Sequence, residues 1–117
     1  MSTIFPVQDV QVLNRATTGV VVRIADFTPG INTVYADSAR AQAKLAPAGQ
    51  ASFKLAPGHY YAYVEAATDA ALITSTDFKV EKDHAASLQV TEHFKSFASS
   101  NDDPAGGHLE RHLDINN

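Results

Sequence analysis

The stretch from Gly49 to Ala66, GQASFKLAPGHYYAYVEA, decides the fold, because two alternating runs flank one Pro-Gly pair. In the first run Ala51, Phe53 and Leu55 share one side while Ser52 and Lys54 take the other, the period of two expected of a half-buried strand. In the second, Tyr60, Ala62, Val64 and Ala66 alternate with His59, Tyr61, Tyr63 and Glu65. Pro57 sets φ near the value a turn needs, and Gly58 can adopt the positive φ of a type II turn. The stretch therefore reads as a β-hairpin.

Outward from it, Val7 to Leu13 places Val10 and Val12 opposite Asp9 and Gln11, a first strand, and Asn14 to Gly19 is turn-like. The β-branched run Val20 to Ala25 (VVVRIA) suits a central strand flanked on both sides. A loop, Asp26 to Asn32, holds Pro29-Gly30, and Thr33 to Asp37 (TVYAD) reads as a short third strand. In Ala39 to Leu45 every residue is a strong helix former, yet Ala39, Ala41, Ala43 and Leu45 alternate with Arg40, Gln42 and Lys44. A helix would scatter those apolar positions around its circumference, so an extended edge segment is favoured over a helix.

Beyond the central stretch, Ala67 to Ala71 is a small-residue loop. Leu72 to Val80 puts Leu72, Thr74, Thr76, Phe78 and Val80 on one face, and Ser87 to Phe94 puts Leu88, Val90 and Phe94 at even spacing. Seven or eight short strands separated by turns specify an all-β, antiparallel, Ig-like β-sandwich. The expected domain is 7–94, after an N-terminal arm at 1–6. Residues 95–117 are expected as a flexible C-terminal tail, within which HLERHLDI at 108–115 has the length for two turns of helix, too short to be stable alone.

At 117 residues the chain has room for one domain, and its 44% apolar content is carried heavily by alanine, so the core is expected to be thin. A net charge of −4, with nine Lys and Arg scattered singly, lacks the basic stripe of a nucleic-acid binder. Without cysteine there is neither a disulfide nor a thiolate metal site. No run approaches the roughly 18 apolar residues of a membrane span, and MSTIFPVQDV has no signal-peptide pattern, so synthesis in the cytoplasm without export is expected.

Five histidines are the candidates for metal or acid–base chemistry. His108 and His112, spaced i, i+4, would share a helix face with Glu110 and Asp114 nearby, but Leu109 stands where the zinc-protease pattern needs a glutamate. A solvated tail without metal is the expectation, and no cofactor is implied. His59 is expected at a hairpin tip, His84 in a polar turn and His93 on a polar strand face. Nothing marks a nucleophile elbow, and Asn101-Asp102-Asp103 lacks the spacing of a calcium loop, so no catalytic residue is nominated. Tyr61 and Tyr63 share the face away from the core with His59; they are either cross-strand packing or a partner-contact patch. Leu109 and Leu113 are the tail positions expected to dock on a partner.

The pattern G-x-x-x-F-x-L-x-P-G-x-Y-x-x-x-V, here Gly49, Phe53, Leu55, Pro57, Gly58, Tyr60 and Val64, resembles the transthyretin-like or carboxypeptidase-regulatory-like β-sandwich modules over about Val7 to Val90. The resemblance implies the two-sheet fold and an adhesive or structural role, with no catalytic residues. A stand-alone module with unanchored ends also resembles phage virion accessory and decoration proteins. The expected function is a non-enzymatic structural or binding subunit of a larger assembly such as a virion, with protein partners, no nucleic acid and no membrane insertion. The alternative is a monomeric carbohydrate- or peptide-binding module using the loops around Asp26 to Asn32 and Ala67 to Ala71.

Overall fold

Two four-stranded sheets stack face to face, and the alternation seen in the sequence assigns one side of nearly every strand to the space between them. The computed structural model describes residues 7–31, 33–35, 37–82, 84–97 and 108–117, with backbone alone at 70, 71, 95–97 and 108–111. The strands are β1 (Gln8–Asn14), β2 (Val20–Asp26), β3 (Ala41–Leu45), β4 (Gln50–Leu55), β5 (Gly58–Ala66), β6 (Asp69–Val80), β7 (Ala86–Phe97) and β8 (His108–Asn116). One sheet has the order β4-β1-β7-β8 and the other β3-β2-β5-β6; neighbours are antiparallel except β1 and β7, which run parallel. There is no helix among the described residues, and the all-β sandwich is compatible with an Ig-like module.

The core is built from Val10 and Val12 of β1, Val20, Val22 and Ile24 of β2, Tyr60, Ala62 and Val64 of β5, Phe78 of β6, and Leu88 and Val90 of β7. Each large side chain contributes roughly 1.5–3 kcal/mol on full burial. Segment 39–45 resolves as a strand: Leu45 is buried, Ala41 and Ala43 pack against the core, and Gln42 and Lys44 face solvent. β2 is central, between β3 and β5.

The pairing of the deciding stretch corrects the hairpin. β4 and β5 alternate as expected, yet β4 pairs with β1 and β5 pairs with β2 and β6, so Ala56-Pro57 carries the chain from one sheet to the other. Alternation defines which face of a strand is buried but not which strand lies beside it. Nor does Gly58 adopt positive φ; among the described glycines only Gly30 does, at 83°. The type II turn is instead Thr28-Pro29-Gly30-Ile31, closed by Ile31 N–H donating to the Thr28 carbonyl at 3.1 Å.

Crossings between sheets are tied by Asn14, fully buried at the end of β1. Its Nδ2 donates to the carbonyls of Thr18, Leu45 and Ala46 at 2.9, 3.2 and 3.2 Å, and its Oδ1 accepts from Ala16 N–H at 2.9 Å. One side chain thus satisfies the backbone of both the β1–β2 and β3–β4 crossings. The second crossing also needs its own backbone geometry: Ala48 has φ 65°, and a Cβ on Gly49 would meet the Ala46 carbonyl oxygen at 2.8 Å.

Three further expectations change. Thr33–Asp37 is not a strand: residues 33–35 have no regular structure and Asp37-Ser38 is a turn. Phe94 has the right parity for the core but is 58% exposed, because β1 ends its pairing with β7 at Val90 and only β8 accompanies β7 beyond it. Segment 108–115 forms β8 rather than a helix, adding an edge strand whose Leu113 and Ile115 are buried in the core; β7 itself runs on past the expected boundary at 94. Residues 1–6 and 98–107, within the expected arm and tail, lie outside the described residues.

Candidate functional site

The outer face of the β3-β2-β5-β6 sheet is the best-furnished surface, and register explains why. β5 presents His59, Tyr61, Tyr63 and Glu65 outward, opposite Lys79, Asp77, Ser75 and Ile73 of β6 and opposite Ala25, Arg23 and Val21 of β2 at the last three positions. Side chains of both signs, aromatics and hydroxyls are therefore held in fixed rows.

The described residues of the β2–β3 connection (27–31, 33–35 and 37–40) fold back over this face as a flap. Its base is clasped by a bidentate ion pair in which Arg40 Nε and Nη2 donate to the two Asp26 carboxylate oxygens at 2.9 and 2.8 Å. That carboxylate pushes the Arg40 guanidinium above its ordinary value. Phe27 N–H donates to the His59 carbonyl at 3.0 Å, and the two rings stack at 4.0 Å and 13°. Farther along, Val34 is 3% exposed, and Arg23 Nη1 reaches its carbonyl at 3.4 Å. Ends held together over a compact surface segment are the features of an Ω-loop, a class rich in functional examples.

The flap changes what the outward tyrosines can do. Tyr63 is 6% exposed. Burial, with the Glu65 carboxylate, raises its hydroxyl above the usual value, while Arg23, bonded to Glu65 at 2.9 Å, opposes the rise. Tyr61 is half-buried; its hydroxyl shares a 2.7 Å hydrogen bond with Ser75 Oγ, and Phe27 tilts over it at 6.5 Å. His59 Nε2 lies 2.7 Å from Asp77 Oδ2, and that hydrogen bond holds the Asp77 carboxyl below its ordinary value. Ser75 thus serves Tyr61 rather than His59, so the serine, histidine and aspartate of this face do not line up as a nucleophilic triad.

Between flap and sheet lies a cavity of about 260 Å³ lined by Ala25, Asp26, Thr28, Ile31, Thr33, Val34, Ser38 and Tyr61. The two loops expected to form one ligand site are separated: Asp26 pairs with Tyr60 at one end of the sheet, whereas Ala67-Thr68 is the tight β5–β6 turn at the other. Among the described residues, those of the 26–38 loop line a cavity together with Tyr61.

On the opposite sheet, His93 Nδ1 bonds Asp114 Oδ2 at 2.6 Å, and the His93 and His112 rings stack at 5.4 Å. His108 and His112 now lie along one strand, where four residues span about 13 Å, too far for one ion. Among the described residues no group of three or more His, Cys, Asp or Glu is placed to hold a metal. Leu113 is buried in this protein's own core, while Leu109 has its backbone opposite Ser96 and its side chain lies outside the described residues. His84 sits in the exposed turn after β6, bridged to Glu81.

Sequence reasoning reached His59 and Tyr61 because their face follows from period-two alternation. It missed Phe27, Asp77, Arg40 and Ser38, whose positions depend on a flap folding over a distant strand pair; the bracketing Asp26 and Arg40 were the available signal. No described helix is long and apolar enough to cross a membrane. Compared with known proteins, the chain matches no family model, no curated protein and no solved structure, so the geometry of this face carries the functional argument.

Proposed function

We propose that this protein is a non-enzymatic binding module that works as a subunit of a larger protein assembly, docking through the flap-covered face of the β3-β2-β5-β6 sheet. One observation carries the reading. Of the five large apolar side chains left in solvent among the described residues, Ile31, Tyr35 and Ile73 belong to this one face, at 55%, 68% and 46% exposure. Apolar and aromatic side chains held in solvent together on one face are the material of protein interfaces. A repetitive assembly such as a virion surface is the setting we favour, and kinship to transthyretin-like modules is proposed on the Gly49-to-Val64 pattern.

The test is affinity capture from the native host with wild type and with Tyr35→Ser and Ile73→Ser variants side by side, followed by reconstitution from purified components. The proposal expects a stoichiometric complex weakened at least tenfold by either change, each of which removes an exposed side chain and leaves the fold intact. Equal binding by wild type and both variants refutes docking through this face.

A further inference from the structure

We propose that the cavity beneath the flap is a binding site for a small neutral polyhydroxylated ligand, the size of one sugar ring. The site shares Ile31 with the exposed rim used for docking but not Tyr35 or Ile73, which do not line it.

Size sets the first limit. At about 260 Å³ the cavity falls below the roughly 300–1,000 Å³ of pockets that take drug-sized ligands, so its occupant is a compact molecule.

Charge sets the second. The carboxylate in the lining, Asp26, is already matched by the bidentate Arg40 guanidinium, leaving the site without net charge and favouring a neutral ligand. The Asp26 carboxylate still has lone pairs that can accept from ligand hydroxyls.

Lining chemistry sets the third. Thr28, Thr33 and Ser38 are hydroxyl-bearing residues of the lining, and Tyr61 adds an aromatic ring. Ser38 Oγ donates to the Tyr35 carbonyl at 3.1 Å, leaving its lone pairs as acceptors, and the Tyr61 hydroxyl is held by Ser75. Ala25, Ile31 and Val34 supply apolar surface between them. Hydroxyls interleaved with apolar patches complement a pyranose, whose rim carries hydroxyls and whose faces carry C–H groups. The walls come from the sheet (Ala25, Tyr61) and from the clasped flap, so the site exists before the ligand arrives.

The experiment uses the full chain. Amide resonances are followed by heteronuclear NMR while glucose, galactose, mannose or N-acetylglucosamine is added to roughly 50 mM, well above a millimolar Kd. Saturation-transfer signals are recorded from the sugar in parallel. Support is saturable shifts confined to 25–40 and to Tyr61 with at least one of these sugars, weakened tenfold or more in Ala25→Leu, which fills the cavity, or in Ser38→Val, which removes a hydroxyl. Tyr35→Ser should retain the sugar while losing the protein partner, so failure of one reading is separable from failure of the other. No saturation transfer from wild type to any of the four sugars overturns the proposal, and this arm does not depend on a variant folding. Tighter binding of glucuronate or glucosamine than of the neutral sugars overturns its charge argument.

Discussion

The hydroxyl of Tyr60 donates to the backbone carbonyl of Ala56 at 2.6 Å, across the point where the chain leaves one sheet for the other. The Tyr60 ring is buried and stacked on Phe78 at 5.8 Å, so a single side chain anchors the corner both to the core and to the backbone that turns. Tyrosines that bond back to upstream backbone at a corner are a recurrent β-sandwich device. Removing the hydroxyl alone, in Tyr60→Phe, should cost about 1 kcal/mol in urea unfolding, and Tyr60→Ala about 3–5 kcal/mol. An unchanged urea midpoint for Tyr60→Phe would remove the corner bond from the stability account.

The β3–β4 crossing offers a pair of opposite expectations at adjacent residues. Gly49→Ala drives a Cβ to 2.8 Å from the Ala46 carbonyl oxygen, which is backbone and cannot step aside. It should destabilise by more than about 1 kcal/mol. Ala48→Gly relieves a left-handed residue at φ 65° and should be neutral or stabilising by up to about 1 kcal/mol. Thermal melts of the two variants should move in opposite directions or not at all for Ala48→Gly; a loss with Ala48→Gly exceeding that with Gly49→Ala contradicts the geometry.

These corners show how far the sequence could be read. Alternation in Ala51–Leu55 and Tyr60–Ala66 reports burial of one face, which is a local property, and the buried faces were legible for that reason. Which strand lies alongside is a non-local property, and a Pro-Gly pair serves a hairpin and a sheet-to-sheet crossing equally well. Thr33 to Tyr35 has β propensity but lies on the flap, where tertiary position overrides it. The C-terminal error was avoidable: Leu109, Leu113 and Ile115 are all at odd positions, so the spacing that suggested a helix face also fits a strand. The cavity, by contrast, joins residues on two elements and a folded-back loop, and no local pattern encodes such a meeting.

Acid should loosen the His59–Asp77 contact in a defined window. The Asp77 carboxyl, held below its ordinary 3.8 by the His59 hydrogen bond, contributes stability that is present above that value and is lost as pH falls through the lowered one. The urea-midpoint difference between wild type and Asp77→Asn should therefore be full at about pH 5 and shrink as the pH falls below the ordinary 3.8. A difference constant over that range would mean that the carboxyl titrates alike in folded and unfolded chains. At the alkaline end Tyr63, raised above its usual 10.0, should ionise later than a solvent-exposed phenol. Its neutral form contributes stability below about pH 10 that is lost as pH rises through the raised value, and the late phenolate absorbance should disappear in Tyr63→Phe.

A chain ending at residue 107 tests whether β8 belongs to the domain. It loses the buried Leu113 and Ile115, each worth roughly 1.5–3 kcal/mol, and bares the edge of β7. Cooperative unfolding should weaken by several kcal/mol or be lost, with increased aggregation in light scattering. An unaltered melting curve would return 108–117 to the status of a dispensable tail.

The parallel pairing of β1 with β7 has a consequence for the order in which the molecule is made. Val10 lies beside Ala86 and Val12 beside Leu88, so β1 waits for a strand far along the chain before its sheet can close. The β2–β3 and β5–β6 pairs need only nearby partners, so the flap-bearing sheet can form while the other is still missing its centre. A chain of this topology is expected to fold in milliseconds to seconds rather than microseconds, with the edge of β1 away from β4 open to stray pairing until β7 arrives.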